Sequence, residues 1–478
     1  MNFAMIFYIL GWILNFNAIF LVLPLVTAWI YQEQAWISFA ASIVISLTAG
    51  LCIIHRKPRK KTLYAKEGFI IVAVTWIVLS IFWSFPYMMT GAIPSFVDAV
   101  FESASGLTTT GASILTQVES LPKSVLLWRN FSNWIGGMGV LVFVMAILPL
   151  SGGSNMYMMK AESPGPSVGK LVPHVKTTAK ILYGIYIVIT LIAFLCLRFG
   201  GMDTFNALTA AFATAGTGGF AIKNDSFGSY PAICQALTTI FMILFGVNFN
   251  VYYLLIKKRW KEAWKISEWK IYFGIILAAA GIILIDTKGM FHSISDAVNK
   301  VFFQVGTIIT TTGFATDDFN QWPELSRTVL VFLMFIGACA GSTGGGIKVS
   351  RLCIWVKTII KELDVIVHVR NVKKVKLDGK AVGHEVMRSV NVYFAAYILI
   401  FVLSLFLITF DEFDLITNFT SVAATLNNIG PGLGMTGPAG NFSQFSDVSK
   451  IVLIFDMLAG RLELFPMLIL FAPSTWKK

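Results

Sequence analysis

The chain has 478 residues, of which 56% are hydrophobic and 13% charged, about half the charged fraction of an ordinary soluble domain. That composition excludes a globular soluble enzyme and makes a lipid bilayer the solvent for most of the chain. The formal charge of +12 would suit a nucleic-acid partner, but Lys and Arg are gathered in short loops between apolar runs, where they set membrane topology instead.

In chain order, apolar runs long enough to cross about 30 Å of hydrocarbon predict ten transmembrane helices, at residues 3–31, 35–54, 68–89, 125–150, 181–197, 233–256, 271–285, 329–356, 390–410 and 451–471. The first run lacks a basic leader and is too long for a signal-peptide core, so it reads as a mature span. Ten spans put both termini on one side. The basic runs 55–61, 257–270 and 348–388 and the Lys477-Lys478 end fall on that same side, which the excess of positive charge makes cytoplasmic. Acidic residues such as Asp98, Glu119, Asp203, Asp317 and Asp414 gather opposite.

Four half-apolar segments too short to cross the membrane, 96–111, 205–219, 294–313 and 415–430, each sit on the outer side between two full spans. The unit span, half-span, span thus occurs four times at a period of roughly a hundred residues, and such repetition marks a pathway at the repeat interface. The expected architecture is an all-α integral membrane protein. Residues 1–66 form two extra N-terminal helices, and 67–175, 176–268, 269–388 and 389–478 form four pseudo-symmetric repeats around one pore.

The half-spans end alike, in Thr109-Thr110-Gly111, Thr217-Gly218-Gly219, Thr311-Thr312-Gly313 and Asn428-Ile429-Gly430. A glycine that can take positive φ lets consecutive carbonyls face a common axis, and rings of backbone carbonyls can replace the hydration shell of a monovalent cation. These twelve residues are the predicted ion-binding filter. Helices starting near Ser95 or Asp98, Asp203, Ser295 or Asp296, and Asp414 would aim their negative C-terminal ends at it. Taken singly, each glycine reads as a helix C-cap. Four in the same slot favour the filter, because irregular backbone at membrane depth survives only when buried in protein or lining a cavity.

The eighth span is interrupted at 337–348, where Ala338, Gly341, Ser342, Thr343, Gly344, Gly345 and Gly346 stand. Each glycine costs about 1 kcal/mol relative to alanine in a helix, so the run predicts a flexible intramembrane loop that gates the pathway, with a close helix crossing as the alternative. A nucleotide-binding P-loop is excluded, since Ile347 occupies the lysine position. Arg461 lies in the last apolar run, at an insertion cost of about 2.5–3.5 kcal/mol or more. It reads either as a gate residue opposing cations or as the partner of Glu463 or Asp456. Five cysteines without CxxC spacing argue against zinc or disulfides. The histidines form no HExxH, and no catalytic triad or carboxylate pair can be placed, so the chain does not read as an enzyme. A lipid-linked-substrate enzyme would leave the four half-spans without a role, and a symporter would need more titratable groups at membrane depth.

These residues resemble the Trk/Ktr/HKT superfamily of cation transport proteins, and within it the TrkH branch, from one end of the chain to the other. Besides the four filter segments, the resemblance rests on Asn133-Trp134-Ile135-Gly136-Gly137-Met138-Gly139, Ala161-Glu162-Ser163-Pro164-Gly165-Pro166, Ala340-Gly341-Ser342-Thr343-Gly344-Gly345-Gly346-Ile347-Lys348 and Gly460-Arg461-Leu462-Glu463. The two helices before Gly68 fit the TrkH branch. The resemblance implies channel-like potassium uptake in a bacterial inner membrane and a homodimer with one pore per protomer. It also implies a cytoplasmic RCK-type (TrkA-like) subunit whose nucleotide controls the gate at Ala338–Gly346 and Arg461. No covalent cofactor is implied; potassium is the substrate, and nucleotide acts only through the partner. Gly111 goes with potassium preference where sodium-preferring relatives carry serine, and Asn428-Ile429 departs from the Thr-Thr of repeats one and three.

Overall fold

The computed structural model describes residues 1–55, 58, 63–139, 175–368 and 374–476. The chain is predominantly helical, and among the described residues strand is confined to a hairpin of Lys376–Leu377 with Lys380–Ala381. Among the described residues, six helices are long and apolar enough to cross a membrane: Phe3–Ile30, Trp36–Ile54, Lys66–Met89, Ala179–Phe199, Glu268–Asp286 and His384–Asp411. They match six of the ten expected spans. A seventh, Ala232–Phe245 with Phe249–Ile256, is bent by 89°. The expected eighth and tenth spans are each divided, into Glu324–Ile336 and Val349–Val367, and into Asp447–Arg461 and Phe465–Phe471. Of the expected fourth span, the helix Lys123–Met138 covers the first part, and residues 140–150 lie outside the described residues. So do the Ala161–Pro166 motif, His174, most of the basic run 55–61, and Lys477-Lys478.

Helices in lipid gain little from apolar burial against one another, so close approach at small residues has to hold them together. Phe3–Phe20 and Trp36–Ile54 cross at Gly11 and Gly50. A Cβ on Gly11 would stand 2.9 Å from the Gly50 carbonyl oxygen, and one on Gly50 would stand 2.8 Å from that of Gly11. Near the crossing, the buried Asn17 amide donates to Ser46 Oγ at 3.0 Å. This hairpin packs on Ala65–Met89, whose Trp76, Trp83 and Tyr87 are fully buried and which in turn backs the first short helix.

Four short helices, Phe96–Leu107, Thr204–Gly216, Ile294–Ile309 and Leu415–Leu426, occupy the centre. Each starts at a side-chain cap, respectively Ser95, Asp203, Ser293 and Asp414, which satisfies first-turn N–H groups that have no intrahelical partner. The third cap is Ser293, two residues before the expected Ser295. The Thr417 hydroxyl donates to Asp414, and this hydrogen bond holds the exposed carboxyl below its usual range.

Between the first and second short helices lies a buried ion pair. Arg129 of Lys123–Met138 donates to Glu102 at 2.8 Å, to the Ala221 carbonyl at 3.1 Å and to Ser113 Oγ at 3.3 Å. Glu102 also accepts from the Ile114 N–H at 3.1 Å, and the guanidinium lies 4.2 Å from the Phe220 ring centroid. Both side chains are shut off from solvent, so removing one partner strands the other charge at a cost of about 3–5 kcal/mol, while replacing both can be nearly neutral. Glu102→Leu is therefore expected to lower the melting temperature in detergent sharply, and Glu102→Leu with Arg129→Met to recover most of the loss. Additive losses in the double variant would contradict the pairing.

Candidate functional site

The four short helices end in one backbone form. The N–H groups of Thr110, Gly218, Thr312 and Ile429 donate to the carbonyls five residues back, at 2.8–2.9 Å. Those of Thr109, Thr217, Thr311 and Asn428 donate three residues back, at 3.0–3.2 Å. These are Schellman closures, but the left-handed position is filled by Thr109 (φ 57°), Thr217 (51°), Thr311 (58°) and Asn428 (56°) rather than by glycine. A β-branched residue there costs on the order of 1–3 kcal/mol and persists only where its surroundings over-determine it. The glycines come two residues later, so the helix-cap reading of them is set aside.

Gly111, Gly219, Gly313 and Gly430 have φ of 79°, 70°, 88° and 102°. Each also lies where a Cβ could not fit. A Cβ on Gly111 would be 2.4 Å from the Gly218 carbonyl oxygen, and on Gly219 2.0 Å from that of Thr312. On Gly313 it would be 1.9 Å from the Ile429 oxygen, and on Gly430 2.7 Å from the Thr110 oxygen. The succession of segments runs one to two, two to three, three to four and four back to one, so the twelve predicted filter residues come together as a closed ring. All four glycines line a single cavity of about 180 Å³, whose wall also includes Arg129, Lys223, Asn224 and Phe442.

The predicted gate residues lie against the other side of this ring. Gly345 N–H donates to Thr311 Oγ1 at 2.6 Å and Gly346 N–H to the Asn427 carbonyl at 3.0 Å. A Cβ on Gly344 would be 2.8 Å from the Thr310 oxygen. Thr343 donates its hydroxyl to the Phe245 carbonyl at 3.2 Å, Ser342 Oγ donates to Cys339 O at 2.6 Å, and the Ala338 and Gly341 carbonyls accept from Val349 and Phe249. The 337–348 break is thus a hydrogen-bonded loop rather than a simple helix crossing.

Arg461 ends Asp447–Arg461. Its guanidinium donates to the Thr343 carbonyl of the loop at 2.8 Å, and to the carbonyls of Gly136 and Gly137 at 2.6 and 2.7 Å. It therefore ties the loop to the last turn of Lys123–Met138, where carbonyls lack helical partners and favour a cation. Glu463 bonds Arg351, and Asp456 accepts from Ser404 Oγ at 2.6 Å.

The chain belongs to the TrkH family of cation transport proteins. The family model, described as TrkH: Cation transport protein, matches residues 34–478. A Trk system potassium uptake protein TrkH of Salmonella typhimurium is 37% identical over 488 residues, with all of both chains covered. One of Escherichia coli K12 is 36% identical over 486 residues, again covering both chains fully. The crystal structure of the potassium transporter TrkH from Vibrio parahaemolyticus superposes with a TM-score of 0.90 at 34% identity over all of both chains. This TrkH family member is accordingly a multi-pass membrane protein.

Several residues around the ring in this TrkH chain carry no signal in the linear pattern. Glu268 is buried and holds both ends of the loop, accepting from the N–H groups of Ala340 at 2.7 Å and Ser350 at 3.1 Å. Lys348 donates to the Gly344 carbonyl from a fully buried position. Glu268 and Lys348 belong by sequence to basic runs that read as topology signals.

Gly111→Ser adds both a Cβ in the place of a carbonyl and a side chain at positive φ. Gly91 shares the positive φ but faces open space, with nothing within 4 Å of its Cβ position. Gly111→Ser should therefore relax discrimination between potassium and sodium in a flux assay, and Gly91→Ser should leave it unchanged. Equal behaviour of the two variants would contradict the ring as the selective element.

Proposed function

We propose that the chain carries potassium across the cytoplasmic membrane by a channel-like route. Four pseudo-symmetric repeats would surround one pore, with Thr109–Gly111, Thr217–Gly219, Thr311–Gly313 and Asn428–Gly430 as its filter and 338–346 with Arg461 as its gate. The observation that carries this reading is the cyclic contact of four glycines with four carbonyls, each at the C-terminal end of a short helix. About half a negative charge at each end attracts a cation without placing a carboxylate in its path, and the carbonyls stand in for its water. The relatives named above as potassium uptake proteins support the choice of ion.

In this reading the cavity lined by the four glycines is the outer vestibule. Both termini are cytoplasmic, two copies assemble with a pore in each, and an RCK-type nucleotide-binding subunit opens the loop from the cytoplasmic side. Potassium is cargo, no covalent cofactor takes part, and the chain is not an enzyme. The membrane potential supplies about 2.3 kcal/mol per charge per 100 mV toward uptake.

A guanidinium facing the pathway raises the barrier to a passing cation by an amount on the order of a few kcal/mol at an effective dielectric near 20. Proteoliposomes held at a set potential should take up potassium well ahead of sodium, and Arg461→Ala should raise the flux several-fold with the protein still folded. Uptake that follows an imposed proton or sodium gradient rather than the potential would replace the channel with a symporter. Arg461→Ala that lowers stability without raising flux would remove Arg461 from the gate.

A further inference from the structure

The four ring segments align residue for residue, and the second departs from the others in one respect. The residues before and after the left-handed position are Thr108 and Thr110 in the first segment and Thr310 and Thr312 in the third. In each of these the two hydroxyls hydrogen-bond at 2.7 Å, filling the space behind the ring. The fourth has Asn427, which accepts from the Tyr397 hydroxyl at 3.0 Å, and Ile429. The second has Gly216 and Gly218 and no side chain of its own at either place.

The space is taken by Asn133 of Lys123–Met138. A Cβ on Gly218 would stand 2.3 Å from Asn133 Cγ and 2.5 Å from its Nδ2, and a Cβ on Gly216 would stand 2.1 Å from the Asn133 carbonyl oxygen. Asn133 is fully buried, and neither polar atom of its amide has a hydrogen-bond partner among the described residues. Retaining an unpaired buried amide is costly, and an apolar side chain of similar size would avoid that cost. The same helix face continues to Gly136, where a Cβ would lie 1.9 Å from the Leu107 carbonyl oxygen behind the first segment, and to the Gly136 and Gly137 carbonyls held by Arg461.

We propose that Asn133 is a specificity-determining positioning residue. Its side chain, supplied by the neighbouring helix, stands in for the threonine pair missing from the second segment and holds the Gly218 peptide in line with the other three. Because Gly218 O is also the oxygen that excludes a Cβ from Gly111, a shift there is passed to the first segment. The helix carrying Asn133 ends on Arg461, so the same rigid element supports one quarter of the ring and the arginine that bridges to the loop. This inference rests on the filter reading above, and it adds a determinant that lies outside the four segments.

The test compares potassium and sodium flux and thermal stability for one set of variants in the full-length chain. Asn133→Ala should lower the potassium-to-sodium ratio several-fold. Asn130→Ala, one turn earlier on the same helix, removes a buried amide bonded to the Leu126 carbonyl at 2.8 Å and should leave the ratio unaltered. Gly218→Ala alone should lose discrimination by collision with Asn133, whereas Gly218→Ala combined with Asn133→Gly, which moves the side-chain volume from the helix to the segment, should recover part of the ratio lost in Asn133→Gly alone. An unchanged ratio in Asn133→Ala, or a loss that merely follows melting temperature across all variants, would overturn the proposal. A native protein with no preference for potassium would instead overturn the filter reading itself, so the two failures are distinguishable.

Discussion

A carbonyl oxygen and a Cβ cannot occupy the same place, and at four points this exclusion lets the backbone of one segment lie directly on the next. Gly111, Gly219, Gly313 and Gly430 are the residues that satisfy it, each with φ between 70° and 102° and each against the middle carbonyl of its neighbour. Because the succession closes on itself, no segment can shift without moving the others. The strained left-handed threonines, the Schellman closures and the buried capped helices all hold the four chain ends where this mutual contact requires them.

The layer beneath is fastened to the ring by the ring's own polar groups. Thr311 Oγ1 and the Asn427 carbonyl accept from loop amides, so the loop is held directly against the ring. Charges at membrane depth are then distributed by role. Glu268 closes the two ends of the loop, Arg461 connects it to the helix behind the ring, and Arg351 with Glu463 fastens the break after Arg461. A charge at that depth is expensive unless it faces protein or water, and each of these finds protein partners across elements far apart in sequence.

The four glycines were legible because a repeated motif in a repeated slot survives without knowledge of contacts, and the glycine-rich interruption was legible because a plain helix would not carry it. The apolar period located six continuous spans but could not show that the sixth is bent or the tenth divided, since such breaks depend on contacts with other elements. The left-handed conformation of Thr109, Thr217 and Thr311 was invisible, because local preference argues against it and only the ring over-rides that preference. Partners of charged residues were read from proximity in sequence, which suggested Glu463 or Asp456 for Arg461. In the fold, backbone carbonyls more than a hundred residues away take that place. The Glu102–Arg129 pair, within the first repeat, and the contact of Asn133 with Gly218 of the second likewise join residues that no linear spacing brings together.

In the proposed reading the four glycine segments form one cation site whose walls are backbone oxygens. Anomalous diffraction from crystals grown in rubidium measures this directly. Rubidium peaks are expected on the axis of the ring, bounded by the carbonyls of Thr110, Gly218, Thr312 and Ile429. An ordered ring empty of rubidium, with the ion found only among side chains of the vestibule, would contradict it.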